Sequence, residues 1–464
     1  MSKKAIILFT NDPLVEKNDN LKQFVENGSA DYQTIWMDEK LYAMMKPLKA
    51  EQATYEKVRE VAGEIARELS GHKIEKAIMN ERVLKDGLPH LHRGKAMQAF
   101  VEGWELGAYQ FVTYKSSITP FQTTLDVVGS GDIQPFITSG KIRAEATAFS
   151  RDLMNEVPNV LNPETFPKVL QEAFIGTNIE VNVLDKEAIE ALGMNGVLTV
   201  SRGSKYKPSF VELVYRGDSS KPLVALVGKG VTFDTGGISL KSGRDLSDMR
   251  MDMGGAAAVA GALKLLAQAK AKVNIVGLIP MVENMPDNTA VLPSEIIRYK
   301  NGLTVQVGNT DAEGRLILAD GLIRAGEWGA DYVVDIATLT GAIANALGSK
   351  IAGVFGDDQL LQIIKEIGVE NGDRVWPMPL VEAYEDYLKS DYADMNNISS
   401  KGEAGSITAG LFLRRFVPES SRWLHVDMAG TMYSSQTNGY QPKSATGFGA
   451  RLLADFTEYV SLQK

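Results

Sequence analysis

The stretch VALVGKGVTFDTGGISLK, residues 224–241, decides the fold. An apolar run passes into Gly228-Lys229-Gly230, and Asp234 and Lys241 follow among further glycines. Charged residues at the end of an apolar strand are typical of the edge where open α/β sheets bind ligands. Taken alone, Lys229 is better explained as a solvated lysine in a turn. A phosphate-binding loop is excluded, because neither GxxxxGK[ST] nor GxGxxG is present.

Around this stretch, short strand-like runs alternate with helical patterns through the second part of the chain. The strand-like runs cover 210–214, 223–227, 273–279, 332–336 and 424–428. Helical spacing of apolar residues covers 256–268, 315–328, 360–367 and 449–459. This alternation predicts a mixed or parallel sheet with helices on both faces.

The first part of the chain is also of α/β character. The pattern of apolar residues predicts a strand at 5–9 and helices at 58–69, 95–109 and 137–155. The polar stretch 115–134 is predicted to be a loop. A turn-rich segment follows, in which Asn162 and Pro163 predict the cap and first residue of a helix. The sequence therefore predicts a smaller N-terminal α/β domain (1–150) and a larger C-terminal domain (151–464) with a central mixed β-sheet flanked by helices.

Composition excludes several kinds of chemistry. The chain has no cysteine, which excludes disulfides, thiolate metal sites and a cysteine nucleophile. Its four histidines are scattered, which leaves little room for a histidine-built metal site or a Ser-His-Asp triad. The net charge of −9 disfavours a nucleic-acid partner. No apolar run is long enough to span a membrane or to form a signal peptide, so we expect no membrane association and a cytoplasmic protein.

Two further blocks carry acidic residues. In DMRMDMGGAAA (248–258) Asp252 precedes a small-residue helix, and in NTDAEGRL (309–316) Asp311, Glu313 and Arg315 precede an amphipathic helix. Taken alone, the first block is better explained by an acid that favours a helix N-terminus. The second could be a helix cap with first-turn acids, but its density of polar residues weakens that explanation. Jointly, the blocks predict an oxygen-rich site for one or two divalent ions such as Zn²⁺ or Mn²⁺, with a water activated between two ions. Spacing alone leaves nucleases and phosphatases open.

The same blocks resemble the motifs of the leucine aminopeptidase (cytosol aminopeptidase) family of di-metal exopeptidases. The motifs are VGKGVTFDTGG (227–237) with Lys241 beyond it, MRMDMGGAAAV (249–259) and NTDAEGRL (309–316), the last being highly specific. Supporting matches are RDLMNEVPN (151–159), DIATLTGA (335–342) and LHVDMAGT (424–431). The resemblance runs from about residue 150 to the end. It implies that 151–464 is the catalytic domain and 1–150 an accessory domain that helps assembly.

The resemblance implies two metal ions and a role for each motif residue. Lys229, as a neutral amine, and Asp252 would bind one ion, Asp234 and Glu313 would bridge the two, and Asp311 would bind the second. Lys241 would polarise the scissile carbonyl, and Arg315 would hold a bicarbonate ion that acts as general base. The implied substrates are peptides with a free N-terminus, leucine and other apolar residues being preferred, and the implied assembly is a homohexamer.

The resemblance also implies a substrate pocket. The pocket for the first side chain of the substrate would be lined by Met249, Thr338, Gly341, Ala429 and Met432. Asn309 and Ala312 would lie near the second residue, and Leu339 would contribute its backbone carbonyl. For His425, on a predicted buried strand, we expect a hydrogen-bonded structural role.

Two other functions remain as alternatives. One is a regulatory or binding protein on an aminopeptidase scaffold, which the presence of all five metal ligands and both catalytic cations disfavours. The other is a metallophosphatase or nuclease, which the amine role of Lys229 and the apolar pocket disfavour.

Overall fold

The structure is a computed structural model, and it describes residues 3–26, 30–37 and 39–463. The chain forms two compact units. The first contains the chain up to Ala148 with the short returns 370–372 and 434–444. The second contains 149–369, 373–433 and the chain from Ala445 onward. The domain boundary at residue 150 stays a prediction. Nothing in the sequence indicated that the segments 370–372 and 434–444 belong to the smaller unit.

The smaller unit is built on a five-stranded sheet in the order β2-β3-β1-β4-β5, in which only β2 is antiparallel to its neighbour. Its apolar core includes the fully buried Trp104. In chain order, the elements that begin in this unit before residue 149 are β1 (Lys4–Phe9), α1 (Pro13–Glu16), α2 (Asp19–Glu26), β2 (Tyr32–Met37), β3 (Lys40–Met45), α3 (Tyr55–Gly71), β4 (Lys76–Asn80), α4 (Arg82–Gly87), α5 (Arg93–Gly107), β5 (Thr124–Val128) and α6 (Gln134–Asn155).

The elements that follow belong mainly to the larger unit. They are α7 (Phe166–Ala173), β6 (Ile179–Leu184), α8 (Lys186–Leu192), α9 (Asn195–Ser201), β7 (Ser209–Arg216), β8 (Leu223–Gly228), β9 (Gly230–Asp234), α10 (Gly254–Gln268), β10 (Asn274–Asn284), β11 (Ile296–Arg298), β12 (Thr304–Gln306), α11 (Gly314–Glu327), β13 (Tyr332–Ala337), α12 (Gly341–Leu347), β14 (Ala352–Gly356), α13 (Asp358–Asn371), β15 (Val375–Pro377), β16 (Met395–Asn396), α14 (Gly405–Arg414), β17 (Arg422–Asp427), β18 (Tyr433–Ser434), β19 (Ser444–Ala445) and α15 (Ala450–Leu462).

The larger unit has a nine-stranded mixed sheet, which confirms the predicted architecture. Eight strands run in the order β15-β14-β17-β13-β8-β10-β7-β6, and β9 pairs with β10. The four central strands β17, β13, β8 and β10 are parallel, whereas β14 is antiparallel to β17 and β7 is antiparallel to β10. The core on this sheet includes the fully buried Val227, Ile317 and Val333. The carboxyl ends of the parallel strands therefore form one edge.

Helix α10 packs closely on this edge. The amide of Ala256 donates to the carbonyl of Lys229 at 2.9 Å. A side chain at Gly255 would overlap the carbonyl oxygen of Ile336 and lie 2.7 Å from the amide nitrogen of Lys229. Only glycine permits this approach, so the small-residue start of α10 serves to bring the helix against β8 and β13.

Two local predictions were wrong. The stretch 115–134 was expected to be a loop, but it contains strand β5, whose polar and half-buried residues carry a weak strand signal. A helix was expected to start at Asn162-Pro163, but α7 begins at Phe166 with proline in its first turn. Asn162 instead accepts the amides of Glu164 and Thr165, closing a turn that delays the helix. In the described part of the chain, no helix combines the length and apolar character that crossing a bilayer needs.

Candidate metal centre

The site is built where three central strands end. Gly228 of β8 pairs with Ile336 of β13, and Ala337 of β13 pairs with Asp427 of β17. Lys229 follows β8 directly, and its amide donates to the carbonyl of Ile336 at 3.1 Å. Each strand therefore delivers the residues that follow it to the same edge, as expected for an α/β sheet.

Lys229 is buried, so the alternative of a solvated turn lysine is wrong. Its side chain is 4% exposed, and Nζ lies 2.8 Å from Asp252 Oδ2 and 3.0 Å from Glu313 Oε1. Nζ also donates to the carbonyl of Thr338 at 3.0 Å. Burial acts to lower the pKa of Lys229, but the carboxylates of Asp252 and Glu313 outweigh burial and raise that pKa above its usual range.

A second lysine–carboxylate group adjoins the first. Lys241 Nζ lies 2.7 Å from Asp234 Oδ2 and also contacts Asp311. Asp234 ends β9 and is 2% exposed, and the buried Asn284 donates to its Oδ1 at 2.8 Å. Burial acts to lower the pKa of Lys241, and the Asp234 carboxylate more than reverses this effect. The two groups divide the four predicted acidic ligands into two pairs, each beside one lysine.

The buried acids can hold a cation. One oxygen each from Asp234, Asp252 and Glu313 can be chosen so that all lie within 4.8 Å of one another. Burial raises the pKa of Glu313 to about 8, and the charge of Asp234 adds to this rise. Burial also raises the pKa of Asp252 to about 6, against the opposing effect of Lys229. Glu313 Oε2 is buried and has no hydrogen-bond partner among the described residues. Crowded buried oxygens of this kind fit a divalent cation.

The block 309–316 does not serve as an ordinary helix cap, so that alternative is wrong. Glu313 occupies the position before α11 but makes no capping hydrogen bond with its side chain, and the first turn of α11 holds no acid. Arg315 lies in that turn and is 6% exposed. Its Nη1 donates to the carbonyl of Asn397 at 2.9 Å. Burial lowers the pKa of Arg315 to about 10, so it remains a cation at neutral pH.

Three predicted pocket residues are hydrogen-bonded to buried acids. Thr338 Oγ1 donates to Asp252 Oδ1 at 2.7 Å. The amides of Leu339 and Ala429 donate to Asp427 Oδ1 at 3.2 and 3.3 Å. The buried Asp427 thereby joins the segment after β13 to the segment after β17, and burial raises its pKa.

The other predicted pocket residues lie on neighbouring segments. The carbonyl of Met249, in a 3₁₀ helix, accepts the amide of Asp252 at 3.3 Å. Asn309 and Ala312 belong to the loop that carries Asp311, and Asn309 Oδ1 accepts the amide of Asp311 at 2.8 Å. Gly341 begins α12, and Met432 follows the loop after β17. The contact of all eight pocket residues with a substrate stays a prediction.

His425 is hydrogen-bonded, as expected. It is fully buried on β17, with Nδ1 2.5 Å from Asp335 Oδ1 and its ring stacked on Phe355. Burial acts to lower the pKa of His425, and Asp335 reverses this effect.

Three residues around the centre were missed by the sequence reasoning. Asn284, Asn397 and Asp427 all bond to segments that carry predicted site residues. Asp427 had a usable signal, because an acid within an apolar strand needs partners when it is buried. Asn397 had none, because its partners lie more than 80 residues away in sequence.

Comparison with known proteins places the chain. Residues 148–454 match the model of the cytosol aminopeptidase family, catalytic domain. A probable cytosol aminopeptidase of Persephonella marina is 38% identical over 87% of this chain and 82% of its own length. That of Chlorobium limicola is 42% identical over 77% of this chain and 74% of its own length. Among solved structures, the bottromycin maturation enzyme BotP is similar with a TM-score of 0.89 at 30% identity over 99% of this chain and 100% of BotP.

A second structure of BotP, in complex with Mn, superposes with a TM-score of 0.87, again at 30% identity and covering 99% of each chain. The family match covers well over half of the sequence, and the relatives align along most of their own length. The chain therefore belongs to the cytosol aminopeptidase family of di-metal enzymes and is a metal-dependent aminopeptidase.

Proposed function

We propose that this aminopeptidase releases leucine and other apolar residues from the N-termini of peptides, with Mn²⁺ or Zn²⁺ as its two metal ions. One observation carries the proposal: two adjoining lysine–carboxylate groups, Lys229 with Asp252 and Glu313, and Lys241 with Asp234 and Asp311, meet at the carboxyl edge of the sheet. Four acids in two pairs provide oxygen ligands for two cations rather than one.

Each acid has a place in this assignment. Lys229 and Asp252 would hold one ion, Asp311 would hold the other, and Asp234 and Glu313 would contribute to both. The bound ions supply Lewis-acid activation of a water molecule and of the peptide carbonyl. Lys229 is protonated among its carboxylates. Its role as an amine ligand therefore requires that a cation replace that proton, as metal binding to protonated ligands generally does.

Two cationic side chains, Lys241 and Arg315, serve the reaction and do not bind the metal ions. Lys241 has a side chain that is 15% exposed, compared with 4% for Lys229, so its ammonium can reach a bound peptide carbonyl. Its charge stabilises the negative charge that develops on that oxygen. Arg315 Nε is buried with no hydrogen-bond partner in the described part of the chain. This free donor supports binding of a bicarbonate ion, which would serve as the general base.

The leucine preference follows from the proposed pocket. The first side chain of the substrate is surrounded by Met249, Thr338, Gly341, Ala429 and Met432. The two methionines among them offer an adaptable apolar surface. Asn309 and Ala312 face the second residue of the peptide, and the carbonyl of Leu339 accepts a hydrogen bond from the substrate backbone. The ion that Lys229 and Asp252 would hold would also bind the substrate's free amine, which would restrict cleavage to the N-terminus.

We also propose a homohexamer in the cytoplasm, with residues 1–150 acting as an accessory domain in assembly. The support is the family itself, whose relatives carry the name cytosol aminopeptidase. Sedimentation of the purified protein at working concentration tests the assembly, and a species lighter than a hexamer would contradict it.

Hydrolysis of leucine p-nitroanilide tests the activity. Protein stripped with EDTA should be inactive, and Mn²⁺ or Zn²⁺ should restore turnover. Glutamate p-nitroanilide is the matched substrate, and it should be cleaved more slowly because the pocket is apolar. Removing bicarbonate from the buffer should lower kcat in wild type and not in an Arg315→Ala variant. Equal rates on both substrates would refute the leucine preference, and a wild-type rate indifferent to bicarbonate would refute the proposed base.

A further inference from the structure

Asn397 is a fully buried side chain for which the proposed chemistry has no use. It directly follows β16, which pairs in parallel with β12, and its amide extends this pairing by donating to the carbonyl of Gln306 at 3.0 Å. This short sheet places Asn397 beside the loop that leads from β12 to α11. The same loop carries Asp311 and ends at Glu313.

The amide group of Asn397 makes four hydrogen bonds to this loop. Its Oδ1 accepts the amides of Gly308 at 2.8 Å and Asn309 at 3.2 Å. Its Nδ2 donates to the carbonyls of Asn309 at 2.7 Å and Ala312 at 3.3 Å. Two accepted and two donated bonds use the full capacity of a side-chain amide. The loop residues 308–312 have no helix or strand of their own, so Asn397 supplies partners that a regular element would have provided.

The backbone of the same residue holds the arginine. The carbonyl of Asn397 accepts a hydrogen bond from Arg315 Nη1 at 2.9 Å. One residue thus contacts both sides of the acids Asp311 and Glu313, the loop before them and the arginine after them. A shift of Asn397 would move the metal-binding loop and the anion-binding guanidinium together.

We propose that Asn397 is the positioning residue of the metal centre, which sets the loop 308–312 and Arg315 in the geometry that metal binding and catalysis require. The proposal rests on the proposed function for its catalytic readout, but its effect on metal binding stands independently. Replacing a residue that orients metal ligands through hydrogen bonds typically lowers metal affinity or activity by about 10–100-fold.

Two variants test the proposal. Asn397→Leu keeps the branching and the number of heavy atoms, with a larger volume, and removes all four side-chain hydrogen bonds. Asn397→Asp keeps the acceptor and turns the donor into an oxygen that faces two carbonyls. Asn162→Leu is the matched control, because Asn162 is also buried and accepts two backbone amides, far along the chain from the site residues. If the leucine variant does not fold, the aspartate variant carries the test.

Calorimetric titration of Mn²⁺ into the EDTA-stripped full-length proteins is the first measurement. We expect both Asn397 variants to lose Mn²⁺ affinity by about 10–100-fold, and kcat to fall by a similar factor with little change in KM. The control should melt at a lower temperature but keep its Mn²⁺ affinity and kcat. Wild-type affinity in both Asn397 variants, or equal losses in the control, would overturn the proposal. If the wild type hydrolyses no peptide substrate, the proposed function fails, and the Mn²⁺ titration still decides the role of Asn397.

Discussion

Replacing Lys229 by methionine should destabilise the metal-stripped protein strongly. The side chains of Lys229, Asp252 and Glu313 are 4%, 7% and 3% exposed, and the ammonium lies 2.8 and 3.0 Å from the two acids. At about 3 Å and an effective dielectric constant of about 20, each contact has a gross attraction of roughly 5 kcal/mol. Methionine fills the same space but leaves the buried acids unpaired, and removing one partner of a buried ion pair costs about 3–5 kcal/mol.

Urea unfolding of EDTA-dialysed protein at pH 9 measures this loss. That pH lies above the pKa of about 8 to which burial raises Glu313 in the wild type, so Glu313 is ionised there. At pH 6 the loss should be smaller, because protons bound by Glu313 and Asp252 remove the charges that lack a partner. The sign follows from linkage: a raised acid pKa in the folded state makes stability fall as pH rises through that range. Excess Mn²⁺ should not restore wild-type stability, since the amine ligand is gone.

Two controls make the test specific. Lys241→Met removes an equal charge, but Lys241 has a 15% exposed side chain and its partner Asp311 a 30% exposed one. Its other partner, Asp234, is buried but still accepts a hydrogen bond from Asn284, so the loss should be smaller than that of Lys229→Met. Adding Glu313→Gln to Lys229→Met should recover more stability at pH 9 than Glu313→Gln adds to the wild type, because only in Lys229→Met does the buried Glu313 charge lack its ammonium partner. If Lys229→Met unfolds at the wild-type urea concentration, or if the second substitution brings no recovery, the ammonium is not what balances these acids.

Three further predictions concern single residues. Lys241→Ala should still bind Mn²⁺ in calorimetry but lose about 10²–10³-fold in kcat on leucine p-nitroanilide, and near-normal turnover would refute its catalytic role. Gly314→Ala should weaken Mn²⁺ binding about tenfold, because its new Cβ would lie 2.6 Å from Lys229 Cε; Gly71→Ala, where nothing lies within 4 Å, is the control and should leave that binding unchanged. In urea unfolding, the free energy of unfolding of Asp320→Asn should rise relative to that of the wild type by about 1.4 kcal/mol per pH unit above pH 4, because burial raises the pKa of Asp320. A difference between the two proteins that is constant with pH would contradict this.

The strands of the site could be predicted from sequence because their signals are local. The runs 223–227 and 332–336 became β8 and β13 with shifts of one residue at most. Their order in the sheet could not be predicted, because β13 lies between β8 and β17, whose residues are about 100 positions away on either side. Pairing over such distances depends on the packing of the whole sheet, which no window of sequence contains.

The candidate ligands could be predicted because each follows a strand or precedes a helix within a recognisable motif. The interpretations that treated Lys229 and the block 309–316 singly were wrong, since burial depends on what the rest of the chain places around them. Asn397 could not be predicted for the same reason. Its role arises from a two-residue strand, β16, and so short an element has almost no signal of its own.

The charges of the site explain how the protein can fold without metal ions and how the same site can attract anions once metal ions are bound. Four acids are matched by three cations, Lys229, Lys241 and Arg315, so the stripped centre has a small net charge and is compatible with burial. Two divalent ions would make the same centre net positive, even after Lys229 gives up its proton. A positive, largely buried centre would attract both the anion that we propose beside Arg315 and the oxyanion of the reaction. A chain with no cysteine and no histidine among these groups could therefore obtain its base from solution, as we propose, provided that Arg315 is fixed in place, which is the task that we assign to Asn397.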